Sequence, residues 1–459
     1  MPTTIIIINR SKQCRKETIM STAAWAEQAA STILERCDRL AELTSLNNGI
    51  ERTYLSPQMA QAYDLTGTWM RQAGLATHID PAGNLVGRVE GIKPGLPALI
   101  LGSHLDSVPD AGKYDGILGV VTAISVAEHL IDSGITATLP FAIEVVGFGD
   151  EEGARFGATL LGSYALAGRW KNEWLDLADK NGVTMRDAFT EFGLDPQHVA
   201  EAAHSLEDSI GYLEFHIEQG PILEQRNRAL SSVTSIAAAS RYMVTINGLS
   251  CHIATPYNLR HDALTAAADI IAGIDRISLE AGTRANVGEI SAEPGGVNVI
   301  AGKATFSLDV RAGTDELRDE TFDRIWAMAD QVCTQRGVTM EKICIHTASG
   351  TQCDPFLRSC IEDGIETSED KDAFGLISYP GHDGMAVAEL LPIAMLYVRC
   401  KGGISHSPLE SVREDDVACG TQAFAQAVLN IARKNCSNDK QNTMNAADTA
   451  TPVTTTTAA

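Results

Sequence analysis

Residues 98–106 read Ala-Leu-Ile-Leu-Gly-Ser-His104-Leu-Asp106, a short apolar run that stops at a glycine and a polar cluster. Four successive apolar residues, Ala98–Leu101, suit a strand buried on both faces of a sheet. The pattern returns twice: Ile143–Phe148 leads into Gly-Asp-Glu151-Glu152-Gly, and Tyr212–Phe215 leads into His216-Ile-Glu-Gln-Gly. Between the first two runs, Ile117–Leu130 reads as a helix. Strands alternating with helices, with polar residues at the strand C-termini, predict an open α/β sheet whose crevice holds the ligand.

Working outward, Ser56-Pro57 opens a helix that Gly74 closes. Its residues Met59, Ala62, Tyr63, Thr66, Met70 and Ala73 share one face. From about Ser235 the pattern changes to a strand at Tyr242–Ile246, a helix at Asp262–Arg276 and strands at Thr283–Ile290 and Lys303–Val310. A helix at Glu316–Arg336 and a strand at Val338–Ile345 follow. That β-α-β-β-α-β order predicts a ferredoxin-like α+β domain inserted into the α/β domain. The latter resumes at Ile393–Val398 and runs into Gly-Gly-Ile-Ser-His406-Ser-Pro. The expected division is a catalytic domain over 21–234 and 347–436, an inserted lid and dimerisation domain over 235–346, and disordered ends at 1–20 and 437–459. Met20 is an alternative start to Met1.

A chain of 459 residues with 44% hydrophobic content fits a soluble protein of two domains. No apolar run approaches the roughly 20 residues that a membrane helix needs. The Ile5–Ile8 run precedes Arg10, Lys12, Arg15 and Lys16, the reverse of a signal peptide. Ten cysteines without a Cys-x-x-Cys pair read as reduced thiols of a cytoplasmic protein. A formal charge of −23 argues against nucleic acid or an anionic membrane as partner.

The polar clusters offer His104 and Asp106 in a His-x-Asp, Asp115 in Tyr-Asp-Gly, Glu151 with Glu152, His216, and His406. Imidazoles and carboxylates suit zinc, manganese or cobalt, and a carboxylate can bridge two ions. Each follows a strand or a glycine turn, where rigid backbone can aim it. Asp106 is spaced to accept the second ring N–H of His104 and so fix its tautomer. Of the adjacent acids, one can bind metal while the other takes the proton of an attacking water. Any one of these histidines alone reads more readily as structural, and adjacent acids are common on solvated surfaces. The five clusters together carry the metal reading.

At these residues the chain resembles the hydantoinase/carbamoylase family of di-metal amidohydrolases, which is related to aminoacylases and to a folate-cleaving carboxypeptidase. The resemblance runs from about Cys37 to Arg433. It rests on Gly-Ser-His104-Leu-Asp106-Ser, Gly-Lys-Tyr-Asp115-Gly, Asp-Glu151-Glu152-Gly-Ala-Arg-Phe and Glu-Phe-His216-Ile-Glu-Gln-Gly. Further on it includes Asn298-Val-Ile, Ser-Leu-Asp-Val-Arg311, Gly-His382-Asp383 and Gly-Ile-Ser-His406-Ser-Pro. It implies two divalent ions, Zn²⁺ or Mn²⁺, with Asp115 as the bridge, His104 and His216 on one ion, and Glu152 and His406 on the other. Glu151 matches the general base and Asp106 the partner of His104. His252 is expected to stabilise the oxyanion, and Arg311 and Asn298 to hold the substrate carboxylate, reaching it across a homodimer interface. His382, Asp383 and Arg241 are expected to line the pocket. The implied reaction is hydrolysis of a ureido or carbamoyl C–N bond in a small carboxylate substrate, allantoate first. N-carbamoyl-L-amino acids and β-ureidopropionate are the alternatives.

Three stretches depart from the family pattern. The turn after His252 reads His-Ile-Ala-Thr-Pro-Tyr, shorter and without the usual glycine. Tyr-Pro-Gly precedes His382, with Gly384 following, and Ala-Ala-Ser precedes Arg241. A di-metal aminopeptidase or dipeptidase would share every ligand. A non-catalytic binding protein would normally have lost a ligand or the base, and here all are present.

Overall fold

The computed structural model describes residues 10–448, with side chains from 23 to 434. They form two units. One holds the chain up to Val233, Cys353–Leu376 and the chain from His382 onward; the other holds Thr234–Gln352 and Ile377–Gly381. The ends expected to lack structure carry helix where they are described. Arg10–Ala41 and Glu414–Asp448 are each helical, so 10–20 and 437–448 differ from the sequence reading. Neither of those short stretches contains proline or glycine to stop the adjoining helix. Residues 1–9 and 449–459 lie outside the described residues.

The first unit opens its sheet with β1 (Ala76–Ile79), β2 (Leu85–Val89), β3 (Ala98–His104) and β4 (Ala142–Phe148). β5 (Ser209–Ile217) and β6 (Leu230–Ile236) follow, and the chain passes into the second unit within β6. Every residue of β3 and β4 is buried, as the continuous apolar runs require. Both β3 and β5 extend past their apolar runs, so His104 and His216 stand on strands rather than in loops. Gly102-Ser103-His104 continue the ladder opposite Val146-Gly147-Phe148. Ser103 can be buried there because its hydroxyl donates to Glu214 at 2.9 Å. The helix Ile117–Asp132 is apolar nearly all round and packs behind β3 and β5, with Gly119 close against the Phe215 carbonyl. The helix Pro57–Gln72 starts as read: the Ser56 hydroxyl accepts the Met59 N–H.

In the second unit come β7 (Ala238–Asn247), β8 (Cys251–His252), β9 (Arg284–Asn286), β10 (Ile290–Glu293), β11 (Val299–Ile300), β12 (Lys303–Ala312) and β13 (Thr339–Ala348). The main sheet runs β10-β12-β7-β13 with antiparallel neighbours, the ferredoxin-like strand order. Helices Ala263–Ala281 and Asp315–Arg336 bury Ile270, Ile274, Phe322 and Ile325 with Val244, Ile246, Phe306 and Leu308 of the sheet. The single strand expected at Thr283–Ile290 is two. The Ser307 hydroxyl accepts the N–H groups of Gly288 and Glu289, and the register against β12 slips there, from Asn286 opposite Asp309 to Ile290 opposite Phe306.

β14 (Thr351–Gln352), at the end of the second unit's long segment, and β15 (Gly375–Ser378) pair with β6. β16 (Ile393–Val398) then slots between β5 and β6, giving the order β1-β2-β4-β3-β5-β16-β6. It lies parallel to β5 and antiparallel to β6. The parallel centre β4-β3-β5-β16 places the ends of four strands side by side.

Candidate functional site

His104 closes β3 and His216 stands one residue from the end of β5, both buried. Asp115 arrives from the turn that starts the helix Ile117–Asp132. Gly116 in that turn has φ +71°, and a Cβ there would meet the His104 ring at 2.4 Å. Only glycine lets the turn press Asp115 against the histidine. Glu151 and Glu152 follow β4, and His406 follows β16. Asp150, Gln219 and His406 are non-glycine residues held at positive φ, between 51° and 60°. Such strain gathers where side chains must be aimed.

The Asp115 carboxylate faces two ways. Its Oδ1 lies 3.1 Å from His216 Nε2 and 3.6 Å from His104 Nε2. Its Oδ2 lies 3.2 Å from His406 Nε2, which is also 3.3 Å from Glu152 Oε1. Among the described residues, four groups have their potential ligand atoms within 4.8 Å of one another: His104-Asp115-His216, Asp115-Glu152-His406, His104-Glu151-Glu152 and Glu214-His216-His382. Gln219, missed as a site residue although it stands in the His216 cluster, donates to Asp115 Oδ2 at 2.7 Å.

Hydrogen-bond chemistry tests whether these residues fit a cation. His216 Nδ1 lies 2.9 Å from the Ile217 carbonyl, and His104 Nδ1 lies 3.1 Å from the Asp106 carbonyl. A carbonyl can only accept, so each neutral ring carries its proton on Nδ1. Both Nε2 lone pairs then point toward the same carboxylate oxygen. His216 Nε2 makes no hydrogen bond despite its short distance to Asp115. Lone pairs converging on an anion need either added protons or a metal cation, and imidazole with carboxylate is a ligand set that zinc or manganese accepts. The residues fit.

The electrostatics agree. Burial alone would raise the Asp115 carboxyl, but His104, His216 and His406 outweigh it and hold it well below the usual carboxylate range. Asp115 and Glu152 push the half-exposed His406 up to about 10. Glu151 moves the opposite way: burial, reinforced by Glu152, Asp383 and Asp106 and opposed by His104, lifts it well above an ordinary glutamate. One acid strongly ionised beside another that holds a proton more readily is a division suited to a ligand and a base.

Asp106 differs in detail from its sequence reading. Its carbonyl, not its carboxylate, makes the shorter contact with His104; the carboxylate Oδ1 is 3.5 Å away. Instead Oδ1 accepts the Glu151 N–H and Oδ2 the Glu152 N–H, each at 3.1 Å. A short side chain leaving the strand end reaches the neighbouring loop more directly than it folds back. His382 and Asp383 are buried in the same unit. The His382 ring is 4.4 Å from that of His216, and its Nε2 is 2.9 Å from the Tyr397 hydroxyl. Burial, then the adjacent His216, holds His382 well below the usual histidine range.

His252, Asn298, Arg311 and Arg241 lie in the second unit. The short ladder β8–β11 pairs His252 with Val299, and the Asn298 amide lies 3.5 Å from His252 Nε2. The Ala254 N–H donates to His252 Nδ1 at 3.2 Å, so the neutral ring carries its proton on Nε2. Arg241 and Arg311 share Asp309, which the sequence reading passed over. Arg241 Nε donates to Oδ2 at 2.9 Å, and Arg311 donates to both oxygens at 3.0 Å. Two guanidiniums on one carboxylate leave a net positive charge.

Comparison with known proteins agrees with this chemistry. The sequence profile of the peptidase family M20/M25/M40 matches residues 100–430. The chain is 38% identical to a probable allantoate deiminase of Oryza sativa subsp. japonica, over 83% of this chain and 84% of that protein. It is 36% identical to an N-carbamoyl-L-amino-acid amidohydrolase of Pseudomonas sp. (strain NS671), over 83% of this chain and 93% of that one. A crystal structure of a hydantoinase/carbamoylase family amidase from Burkholderia multivorans superposes with a TM-score of 0.82 at 26% identity, covering 88% and 98% of the two chains. The chain therefore belongs to the peptidase family M20/M25/M40, among its hydantoinase/carbamoylase-type amidohydrolases.

Proposed function

We propose that this protein hydrolyses the ureido C–N bond of a small carboxylate-bearing substrate, allantoate first, with two divalent ions, Zn²⁺ or Mn²⁺, held by His104, Asp115, Glu152, His216 and His406. The observation that carries the reading is the Asp115 carboxylate, with one oxygen toward His104 and His216 and the other toward His406. The relatives named as allantoate deiminase and as N-carbamoyl-L-amino-acid amidohydrolase support the bond class. The second name keeps N-carbamoyl-L-amino acids as the alternative substrate.

When bound, the ions supply Lewis acidity at the ureido carbonyl and bring a water's pKa toward ~7. Glu151 takes that water's proton as its oxygen attacks the carbonyl, and passes it to the leaving nitrogen as the C–N bond breaks. This first cleavage releases ammonia and leaves a carbamic acid, which loses carbon dioxide as its own C–N bond breaks and so frees the amine. His252 donates Nε2–H to the developing oxyanion of a substrate held by the other protomer of the dimer. Arg311, whose Nε and Nη2 bind Asp309, offers its remaining N–H groups to the substrate carboxylate across the dimer interface, with Asn298 beside it and the charge left over by Asp309 in its favour. Asp106 keeps Glu151 and Glu152 in place through their N–H groups, His382 and Asp383 line the pocket, and Arg241 reaches it from the other protomer of the dimer.

The protein works as a homodimer in the cytoplasm, the second unit serving as lid and contact surface. Ile343 and Ile345, 67% and 58% exposed on the edge strand β13, support a partner there. Among the described residues, all cysteines are free and no helix is long and apolar enough to cross a membrane.

The test is ammonia release from allantoate, N-carbamoyl-L-amino acids, N-carbamoyl-β-alanine and a dipeptide, with Mn²⁺ or Zn²⁺ added. Turnover of a carbamoyl compound is expected, with Glu151→Gln lowering kcat by about 10²–10⁴-fold while metal content holds. Amino-acid release from the dipeptide without ammonia from any carbamoyl compound would replace this reading with a peptidase.

A further inference from the structure

Glu410 is a buried acid that the chemistry above does not use. Its Oε1 accepts two backbone N–H groups, from Tyr114 at 2.8 Å and from Asp115 at 3.2 Å. The Ser405 hydroxyl lies 2.9 Å from Glu410 Oε2 and 2.7 Å from Asp115 Oδ2, and the one proton of that hydroxyl is shared between the two carboxylates. Gln219 closes the ring, 2.7 Å from Asp115 Oδ2 and 3.3 Å from Ser405 Oγ. Gly112 makes the seat: a Cβ there would stand 2.2 Å from Glu410 Oε1.

We propose that Glu410 is a positioning residue that sets the orientation of the Asp115 carboxylate and ties the Asp115 turn to the His406 turn. This rests on the two-ion reading. Glu410 grips Asp115 at both ends, its backbone directly and its carboxylate through Ser405. The Ser405 end matters most, because it touches Oδ2, the oxygen on the His406 side. Ser405 also precedes His406 in the chain, so one carboxylate fixes the neighbours of two ligands that are far apart in sequence. A bridging carboxylate must present its two oxygens at set angles to two ions, and rotation about its last bond would satisfy one ion at the expense of the other. Bonds from Ser405 and Gln219 to a single oxygen hold that rotation.

The experiment is Mn²⁺ binding to the full-length protein, read as stoichiometry and affinity by calorimetry, with the thermal midpoint of the metal-free protein alongside. The parent is expected to bind two ions. Glu410→Ala is expected to weaken Mn²⁺ binding by about 10–100-fold, the range for losing a group that orients a ligand. Ser405→Ala, which cuts the side-chain link but leaves both backbone bonds, is expected to weaken binding in the same direction without lowering the metal-free midpoint. It serves as the deciding variant where Glu410→Ala does not fold. Glu410→Gln keeps an acceptor for both N–H groups and sets an N–H against Ser405 Oγ, which leaves the Ser405 proton to Asp115 Oδ2, and is expected to stay near the parent. Parental Mn²⁺ affinity and stoichiometry in Ser405→Ala and in folded Glu410→Ala would overturn the role of Glu410 alone. A parent that binds no Mn²⁺ or Zn²⁺ would overturn the two-ion reading and this one with it.

Discussion

Arg52 heads the largest fully buried side chains of the described residues. Among the described residues its guanidinium makes no ion pair, although Asp106 is near enough to favour its charge. Nε donates to the Leu105 carbonyl at 2.7 Å, and NH1 donates to the carbonyls of Leu40 and Leu43 at 2.7 and 3.2 Å. Its backbone exchanges bonds with Ser107, so one residue clamps the segment that carries Asp106. Burial brings this guanidinium down to about 10, still charged at neutral pH. Arg52→Met would fill the volume but take a donor from three carbonyls, leaving Leu40 only its Leu43 N–H, at a cost of about 3 kcal/mol. A thermal midpoint lower by several degrees is expected in differential scanning calorimetry, and an unchanged midpoint would refute the clamp. Nothing in Asn47-Asn48-Gly49-Ile50-Glu51-Arg52 marks this arginine as internal; it reads as a surface turn. The metal-centre candidates were legible because each interrupts an apolar strand or sits in a glycine turn. Arg52, Gln219 and Glu410 were not, because their partners come from distant parts of the chain.

Among the elements, β12 shows how alternation builds a charged face. Its residues alternate between buried and half-buried, so Asp309 and Arg311 share the side away from the helices. Pairing with β7 sets Arg241 directly opposite Asp309. Burial would raise the Asp309 carboxyl, but Arg311 and Arg241 outweigh it and hold it below the ordinary aspartate range. A carboxyl depressed in the folded state adds stability at pH above its unfolded value, about 3.9, and loses it as pH falls through the folded value. Asp309→Asn is therefore expected to lower the thermal midpoint at neutral pH and to flatten its fall below about pH 4. Parallel melting curves for parent and variant across that range would sink this account. Register of this kind was legible only in part. Apolar spacing located the strands, while their ends moved wherever polar partners let the ladder continue, as at His104, or the register slipped, as at Ser307.

For the whole molecule, the insertion was readable from the change of strand and helix order after Ser235. Its far boundary was not. The second unit runs to Gln352 and takes back Ile377–Gly381, whereas the expected insertion stopped at 346. Short returning segments have no periodicity of their own to announce them. The proposed dimer has a direct test in Ile343, exposed on the edge strand β13. The parent is expected to sediment as a dimer in analytical ultracentrifugation and Ile343→Lys to shift toward monomer. A parent that sediments as a monomer, or an Ile343→Lys variant that remains a dimer, would place the contact elsewhere or remove it.

The place of β16 in the sheet has a consequence during synthesis. It separates β5 from β6, yet it is the last strand to be made. While the ribosome is still producing the insertion, the finished half of the sheet ends at β5 with its hydrogen-bonding edge open to solvent. The second unit, which contains its own core, can fold in that interval. The nascent chain thus carries a completed insertion beside an unfinished sheet, and its sticky edge is sealed only when Ile393–Val398 leaves the exit tunnel.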